Sequence, residues 1–473
     1  MPGPPRTSTR RCPELMRPVL RQRADETAQE VRRGLLRGAR VLVVLAGYPG
    51  EEVKTRYYER AHELGVEVVV LDHRADGVIG LDNLRARGIV VDVIPFDPVD
   101  DESARLHALD QVRQAGPLDG VVTFVEFGLP TAAWLAQVLG LPGNDYEAVR
   151  IGRDKERTRV RSEGCGVPAP RFHRICQEAD LVPAAARVGF PAILKPVAGL
   201  TSIEVHQVRS PEDLFAQYRG TRRRMETAEH PNPGQLRAVT RGGYDMILEE
   251  YLDGREFDVD LLLSEGELVY GSVTDNQTHD RWPWVQVGAN MPSALLRSGH
   301  DGEAELIAQA ADWTRRLGYT EGAFHVEVKT RADGTPVLLE VNARLGGASQ
   351  YDLNAAVWGV DLVEELLINS VGIPIRPQKP PAPRRWYAAR YLLAPYSGTL
   401  ESDTFLDAVA LPADIDVLVC EPWVRAGERV NGPDPGPPDW LGELTVGALD
   451  LGTAESAVES AVAQVRYPIR ADE

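Results

Sequence analysis

The sequence predicts an α/β domain followed by α+β structure: an amino-terminal parallel-sheet (Rossmann-like) domain, a small second domain, a central antiparallel-sheet domain and a strand-rich carboxy-terminal extension. Three observations predict it. Short β-branched runs alternate with helical spacing between residues 40 and 145, the pattern of a parallel sheet covered by helices. Close turns such as SEGE and ADGT join the strands between 246 and 342, which implies antiparallel pairing. A Pro-rich connector, IPIRPQKPPAPRR (Ile373 to Arg385), then precedes a further strand-rich region. The length of 473 residues suits such a set of units, at roughly 150 residues per domain.

Residues 1–39 are rich in Arg and Pro and lack the apolar core of a signal peptide. They read as a mobile basic extension with one helix around Asp25 to Arg37. Strands follow at Val41 to Gly47, Val66 to Asp72, Ile89 to Phe96 and Gly120 to Glu126, with helical spacing from Glu51 to Leu64 and a helix from Leu129 to Leu139. The first turn, AGYPGEE, lacks the G-x-G-x-x-G fingerprint, which disfavours a dinucleotide oxidoreductase. The second unit holds a strand at Pro191 to Val197, a glycine turn at Ala198 to Ser202, a strand at Ile203 to Val208 and a polar insertion from Pro211 to Gly243. The central unit has strands at Met246 to Leu252, Phe257 to Leu263, Glu267 to Thr274, Ala323 to Lys329 and Val337 to Asn342, with a helix from Asp301 to Leu317. The expected divisions are 1–39, 40–150, 151–248, 249–373 and 374–473.

With 52 Lys+Arg against 70 Asp+Glu, the net charge of −18 argues against nucleic-acid binding, which runs on clustered cations. The apolar run near the start, VLVVLAG, is far short of the ~20 residues a membrane span needs. Four cysteines, Cys12, Cys165, Cys176 and Cys420, form no CxxC pair, which fits a reducing cytoplasm. The basic residues are nearly all Arg. The only lysines are Lys54, Lys155, Lys195, Lys329 and Lys379, so each invites a reason.

Four segments carry candidate chemistry. In GTPVLLEVNARLGG (Gly334 to Gly347), Glu340 and Asn342 are two apart and share one face of a strand. Glu327 stands on the preceding strand, GAFHVEVKT. Antiparallel pairing would set Glu327 beside Glu340, and three hard oxygen ligands would hold Mg²⁺ on a nucleotide phosphate. Each Glu alone reads more simply as a solvated sheet residue; together with Asn342, Arg344, Gly346 and Gly347 they read as a site. In ILKPVAGLTSIEV, Lys195 ends a strand before a turn with Gly199 and Ser202. Backbone N–H groups of such a turn, with a lysine point charge, suit phosphate oxygens. In ILEEYLDGREFDVD, the stretch Glu249, Glu250, Tyr251 and Leu252 offers an interdomain hinge against which an adenine fits, and Glu256 a ribose acceptor. From spacing alone an ordinary hairpin is the simpler reading. Lys155, in GRDKERTR, sits on a charged helix-like stretch for which solvation alone is explanation enough.

Taken in order, these segments resemble the ATP-grasp superfamily of carboxylate–amine ligases over roughly residues 40 to 470. The resemblance implies an ATP-grasp fold in which a small lid domain closes on the central domain. It implies that Lys155 and Lys195 bind phosphates, that Gly199 to Ser202 form a mobile glycine loop, and that Glu249, Glu250, Tyr251 and Leu252 contact adenine. It further implies that Glu256 binds ribose, that Glu327, Glu340 and Asn342 hold the metal, and that Arg344 and Gly346 surround the reacting acyl group, with a backbone N–H of Gly346 or Gly347 assisting. LEVNARLGGAS followed by a long tail is most similar to the L-amino-acid ligases, which make dipeptides. Two departures stand out. Relatives often carry an E-x-G-H-x-x-P-like segment, and here it reads Gln286-Val287-Gly288-Ala289-Asn290-Met291-Pro292, with Gln286 for Glu and Ala289 for His. The glycine loop carries Leu200 and Thr201.

The resemblance implies an ATP-dependent ligase that joins an amino-acid-like carboxylate to an amine through an acyl phosphate. ATP is the nucleotide, with Mg²⁺ or Mn²⁺. The expected partners are amino acids or peptides, without nucleic acid or membrane, in a cytoplasmic homodimer. The alternatives are an ATP-grasp carboxylase acting through carboxyphosphate, and a non-catalytic nucleotide-binding protein.

Overall fold

A computed structural model describes residues 28–45, 54–72, 81–96, 102–199, 203–227, 236, 240, 243–297, 302–434 and 436–471. The first strands, β1 (Arg40–Val44), β2 (Glu67–Asp72), β3 (Val90–Pro95) and β4 (Gly120–Val122), form a parallel sheet in the order β3-β2-β1-β4. β1 and β2 read as near-continuous apolar runs because both faces are covered, whereas the edge strand β3 carries Asp92. Val41 and Val43 pack into one buried cluster, and Leu42 and Val44 into another. β4 ends four residues before the expected Glu126. The Thr123 hydroxyl donates to the carbonyl of Val44, or to that of Val125, diverting the chain from the ladder into a short 3-10 turn, Glu126–Gly128. Helix Leu129–Leu139 follows as expected.

The second sheet is antiparallel and made of β5 (Phe172–Ile175), β6 (Ala192–Pro196), β7 (His206–Val208) and β8 (Met246–Glu250), in the order β5-β8-β6-β7. β7 starts later than the sequence suggests. Glu204 takes φ of 54°, and Arg224 grips its carboxylate at 2.6 Å, so the chain turns there before it can pair. The polar insertion begins with helix Pro211–Thr227, whose Leu214, Tyr218 and Met225 are buried against this sheet.

An eight-stranded sheet dominates the rest. Its members are β9 (Glu256–Ser264), β10 (Glu267–Thr278), β11 (Gln286–Met291), β12 (Gly322–Thr330), β13 (Pro336–Asn342), β14 (Trp386–Leu393), β16 (Asp416–Pro422) and β18 (Trp440–Ala448), in the order β13-β12-β9-β10-β11-β14-β18-β16. β15 (Gly398–Leu400), β17 (Arg429–Val430) and β19 (Ile469–Ala471) make a separate small sheet. The carboxy-terminal strands thus extend the central sheet. The QVGANM segment is a strand, held by ladders to β10 and β14 on both sides although its composition is polar. The tail also contains a helix, Leu451–Val462. Asp450 caps it by accepting from the Thr453 amide at 3.0 Å, and Ala454, Val458 and Ala461 form its buried stripe. Among the described residues no helix is long and apolar enough to cross a membrane.

Candidate functional site

The antiparallel register fixes which side chains meet, since residues directly opposite on neighbouring strands point to the same face. One row across the sheet reads Glu340, Glu327, Asp258; a second reads Lys329, Glu256, Asn276, Ala289, Ala389. These rows, Ala289 and Ala389 aside, line a cavity of about 480 Å³ that is bounded from the second sheet by Lys195 of β6 and Glu249 of β8. The wall also includes Lys155, Gly199, Glu250, Tyr251, Leu252 and Arg344. Eleven of the residues expected from the sequence therefore share one cleft. Asn342 is buried behind the wall, where its amide donates to Glu327 at 3.5 Å. Gly346 and Gly347 are absent from the wall, and Ser202, Leu200 and Thr201 lie outside the described residues.

Lys155 is the first residue of helix Lys155–Cys165, capped by Asp154. Its ammonium donates to the Gly199 carbonyl at 2.9 Å and to Glu340 at 3.2 Å. Lys195 pairs with Glu249 at 2.5 Å, and Glu249 also accepts from Arg159 at 2.8 Å. Arg159 is wholly buried and donates onward to the Leu339 carbonyl at 2.7 Å, tying lid, helix and β13 together. Burial pushes the Glu249 carboxyl up, but Arg159 and Lys195 outweigh it and hold it at about 2. Glu249 is thus the anchor of Lys195, with its carboxylate already engaged; the next carboxylate, Glu250, accepts from Arg331 and from the Arg171 amide, each at 3.2 Å. Glu256 pairs with Lys329 at 3.1 Å. Arg344 donates to its neighbour's carbonyl, Leu345 O, at 2.8 Å and reaches Glu126 at 3.3 Å.

The facing pair Glu327 and Glu340 fits a divalent cation. Burial, the Glu340 charge and Asp258 push the Glu327 carboxyl up to about 7. Glu340 is itself pushed up by burial, but Lys155, Arg153 and Lys195 prevail and hold it down. Two partly buried carboxylates that repel each other, with the Asn342 amide beside Glu327, are a hard-ligand set suited to a divalent cation. Among the described residues no group of three His, Cys, Asp or Glu side chains is arranged around a metal position.

Comparison with known proteins matches residues 188–352 to the ATP-grasp domain and residues 58–143 to the ATP-grasp N-terminal domain. The chain belongs to the ATP-grasp superfamily. Carnosine synthase 1 of Gallus gallus is 30% identical over 376 residues, which is 77% of this chain and 38% of that protein. The chain thus spans less than half the length of this curated relative. The crystal structure of an L-amino acid ligase from Bacillus licheniformis superposes with a TM-score of 0.73 at 22% identity, covering 92% of this chain and 100% of that one. The biotin carboxylase domain of Hydrogenobacter thermophilus 2-oxoglutarate carboxylase, solved with MgADP and bicarbonate, gives 0.64 at 18% identity over 90% of each chain.

Two residues of this ATP-grasp cleft escaped the sequence reading. Glu126 opens the turn after β4, and its carboxylate bridges Arg344 and Arg153 from the parallel-sheet domain. Its place just past the end of a parallel strand, where ligands of such sheets gather, was a usable signal. His325 lies two residues before Glu327 and so on the same face. Its Nδ1 is 2.9 Å from Asp260 and its Nε2 3.7 Å from Asp258. Burial disfavours the imidazolium, but the two aspartates dominate and raise it from 6.5 to about 9. A raised folded-state value contributes stability that is complete below the unfolded value and is lost as pH rises through the folded one. Unfolding free energy is therefore expected to fall between pH 6.5 and about 9 by on the order of 2 kcal/mol, and His325→Gln to flatten that slope. Urea denaturation of both proteins across the window checks it; an unchanged slope in the variant contradicts the assignment. Asp258, pushed up to about 6 by burial, titrates below the window, and Glu327, at about 7, adds to the fall only at its lower end.

Proposed function

We propose that the protein is an ATP-dependent ligase that forms an amide bond between an amino-acid carboxylate and an amine. One observation carries this reading: Lys155, Lys195 and the in-register Glu327–Glu340 pair share a cleft with Arg344. Cationic phosphate holders and a metal pair at one end, with a guanidinium beyond them, suit phosphoryl transfer from ATP to a bound carboxylate. A carboxylate is a poor acyl donor because oxide is a poor leaving group; phosphorylation replaces one hard step by two easier ones. The donor oxygen attacks the γ-phosphorus and ADP leaves. The amine nitrogen then attacks the acyl carbon, the carbon–oxygen bond to phosphate breaks, and the nitrogen sheds a proton.

Lys155 and Lys195 would hold the phosphates, and Glu249 with Arg159 would aim Lys195 from below. Glu327, Glu340 and Asn342 would hold Mg²⁺, which when bound neutralises the charge that spreads over a transferring phosphoryl group. Arg344 would steady the acyl phosphate and the tetrahedral oxyanion, and Glu126 would fix the direction of its guanidinium. Glu250 to Leu252 would receive the adenine and Glu256 the ribose. The lid sheet over the cavity would exclude water from the acyl phosphate. Unpaired Cys165, Cys176 and Cys420 support a reducing, cytoplasmic setting. The same reading takes amino acids or short peptides as substrates and a homodimer as the assembly.

The likeness to a bicarbonate-bound carboxylase supports a second reading, carboxylation through carboxyphosphate. A phosphate-release screen of amino-acid pairs, with mass spectrometry of the products, separates the two. Pair-dependent release with a condensed product is expected. Release that requires bicarbonate instead of a second amino acid contradicts the ligase.

Lys195→Arg tests the nucleotide half. The buried space beside Glu249 already holds the Arg159 fork, so a second planar guanidinium replaces a compact ammonium poorly. ATP affinity is expected to fall by about tenfold or more, read by equilibrium titration. Near-normal affinity contradicts the role of Lys195.

A further inference from the structure

The cavity changes chemistry along its length. Its ionisable groups cluster toward β9, β12, β13, the lid and the turn after β4. Past β11 the wall is aromatic: Tyr391 on β14, Trp440 opening β18, Trp423 just after β16, and Trp284 with Pro283 in the loop before β11. Three of the chain's eight tryptophans stand in this one wall. Burial and the nearby Glu443 and Asp258 charges push the Tyr391 phenol well above its usual value, so it too is neutral.

The rings rest on small residues that lie behind the cavity wall. Ala289 and Ala389 are opposite each other on β11 and β14, both wholly buried, and they cluster with Tyr391, Ala348, Trp423 and Trp440. Ala289 lies in the same row as Asn276 and Glu256 of the cavity wall. A larger side chain there would push the rings packed on it into the cavity. The rings are fixed in place: the Trp440 indole donates to the Gln286 carbonyl at 2.8 Å, the Trp423 amide to the Leu441 carbonyl at 2.8 Å, and the Tyr391 and Trp423 rings lie 5.4 Å apart.

We propose that this aromatic chamber receives the flat aromatic side chain of one of the two substrates, while the substrate's reacting group points back toward Arg344. The proposal rests on the ligase reading and names the substrate class that reading leaves open. A wall of neutral rings offers nothing to pair with a charged side chain, and short aliphatic side chains would leave the rings uncovered. A planar ring gains both apolar burial and ring–ring contact.

The test is a phosphate-release screen in which each pair contains Phe, Tyr, Trp or His, or only Ala, Ser, Glu or Lys. Pairs with a ring are expected to exceed ring-free pairs by about tenfold or more in kcat/KM. Ala289→Leu is expected to narrow the chamber, raising KM for the ring-bearing substrate about tenfold while ATP affinity, titrated separately, is unaltered. Quenching of tryptophan fluorescence by the ring-bearing substrate, lost in Trp423→Leu, is the second readout. Release that is greatest from ring-free pairs overturns the chamber's assignment and leaves the ligase standing. Release from no pair contradicts both. An Ala289→Leu variant with unchanged KM for the aromatic substrate also overturns it.

Discussion

Replacing Glu340 by alanine is expected to abolish ADP formation, a loss of about a thousandfold or more, while leaving the chain folded. Glu340 sits mid-strand in β13, where backbone pairing with β12 does not depend on its side chain. Its carboxylate is engaged by Lys155 and faces Glu327. Removing it deletes half of the carboxylate pair and leaves the Lys155 ammonium on the Gly199 carbonyl alone. Nucleotide affinity should therefore survive the loss of turnover, and the Glu327 carboxyl should move partway down, still held up by burial and Asp258. Steady-state ADP release, equilibrium ATP titration and circular dichroism read the three effects. Wild-type turnover in the variant would remove the metal assignment.

The largest effect on stability is expected from Arg159→Met. Arg159 is fully buried in helix Lys155–Cys165, and it joins the Glu249 carboxylate to the Leu339 carbonyl. Its loss leaves Glu249 buried with Lys195 alone. Breaking a buried ion network by removing one partner costs about 3–5 kcal/mol, because the remaining charge keeps its desolvation penalty. Urea denaturation should show that loss, and adding Glu249→Gln should restore part of it by discharging the orphaned carboxylate. A destabilisation below about 1 kcal/mol would mean that the network contributes little to the lid–core junction.

Much of this cleft was legible in the sequence because it is built on strands. Spacing of two put Glu340 and Asn342 on one face, and the turn at ADGT brought Glu327 opposite Glu340, as the register confirms. The scarcity of lysine drew notice to Lys155 and Lys195, which the fold brings to the same cavity. What stayed hidden depends on contacts remote in sequence. Glu249 reads as part of an adenine hinge until Arg159, ninety residues away, is seen beside it. Glu126 reads as a strand end until the parallel-sheet domain is docked against Arg344. The polar QVGANM segment has no strand signature of its own, and its ladders on both sides make it one. The aromatic chamber draws on residues from 283 to 440, and no local pattern could gather them.

The central claim is that a carboxylate bound in this cleft attacks the γ-phosphorus of ATP. Its most direct test uses an amino-acid donor labelled with heavy oxygen in the carboxylate, incubated with ATP, Mg²⁺ and an amine acceptor found by the screen. One labelled oxygen in the released phosphate, and one retained in the new amide, is the expected result. Phosphate free of label, with product formed, would contradict the claim.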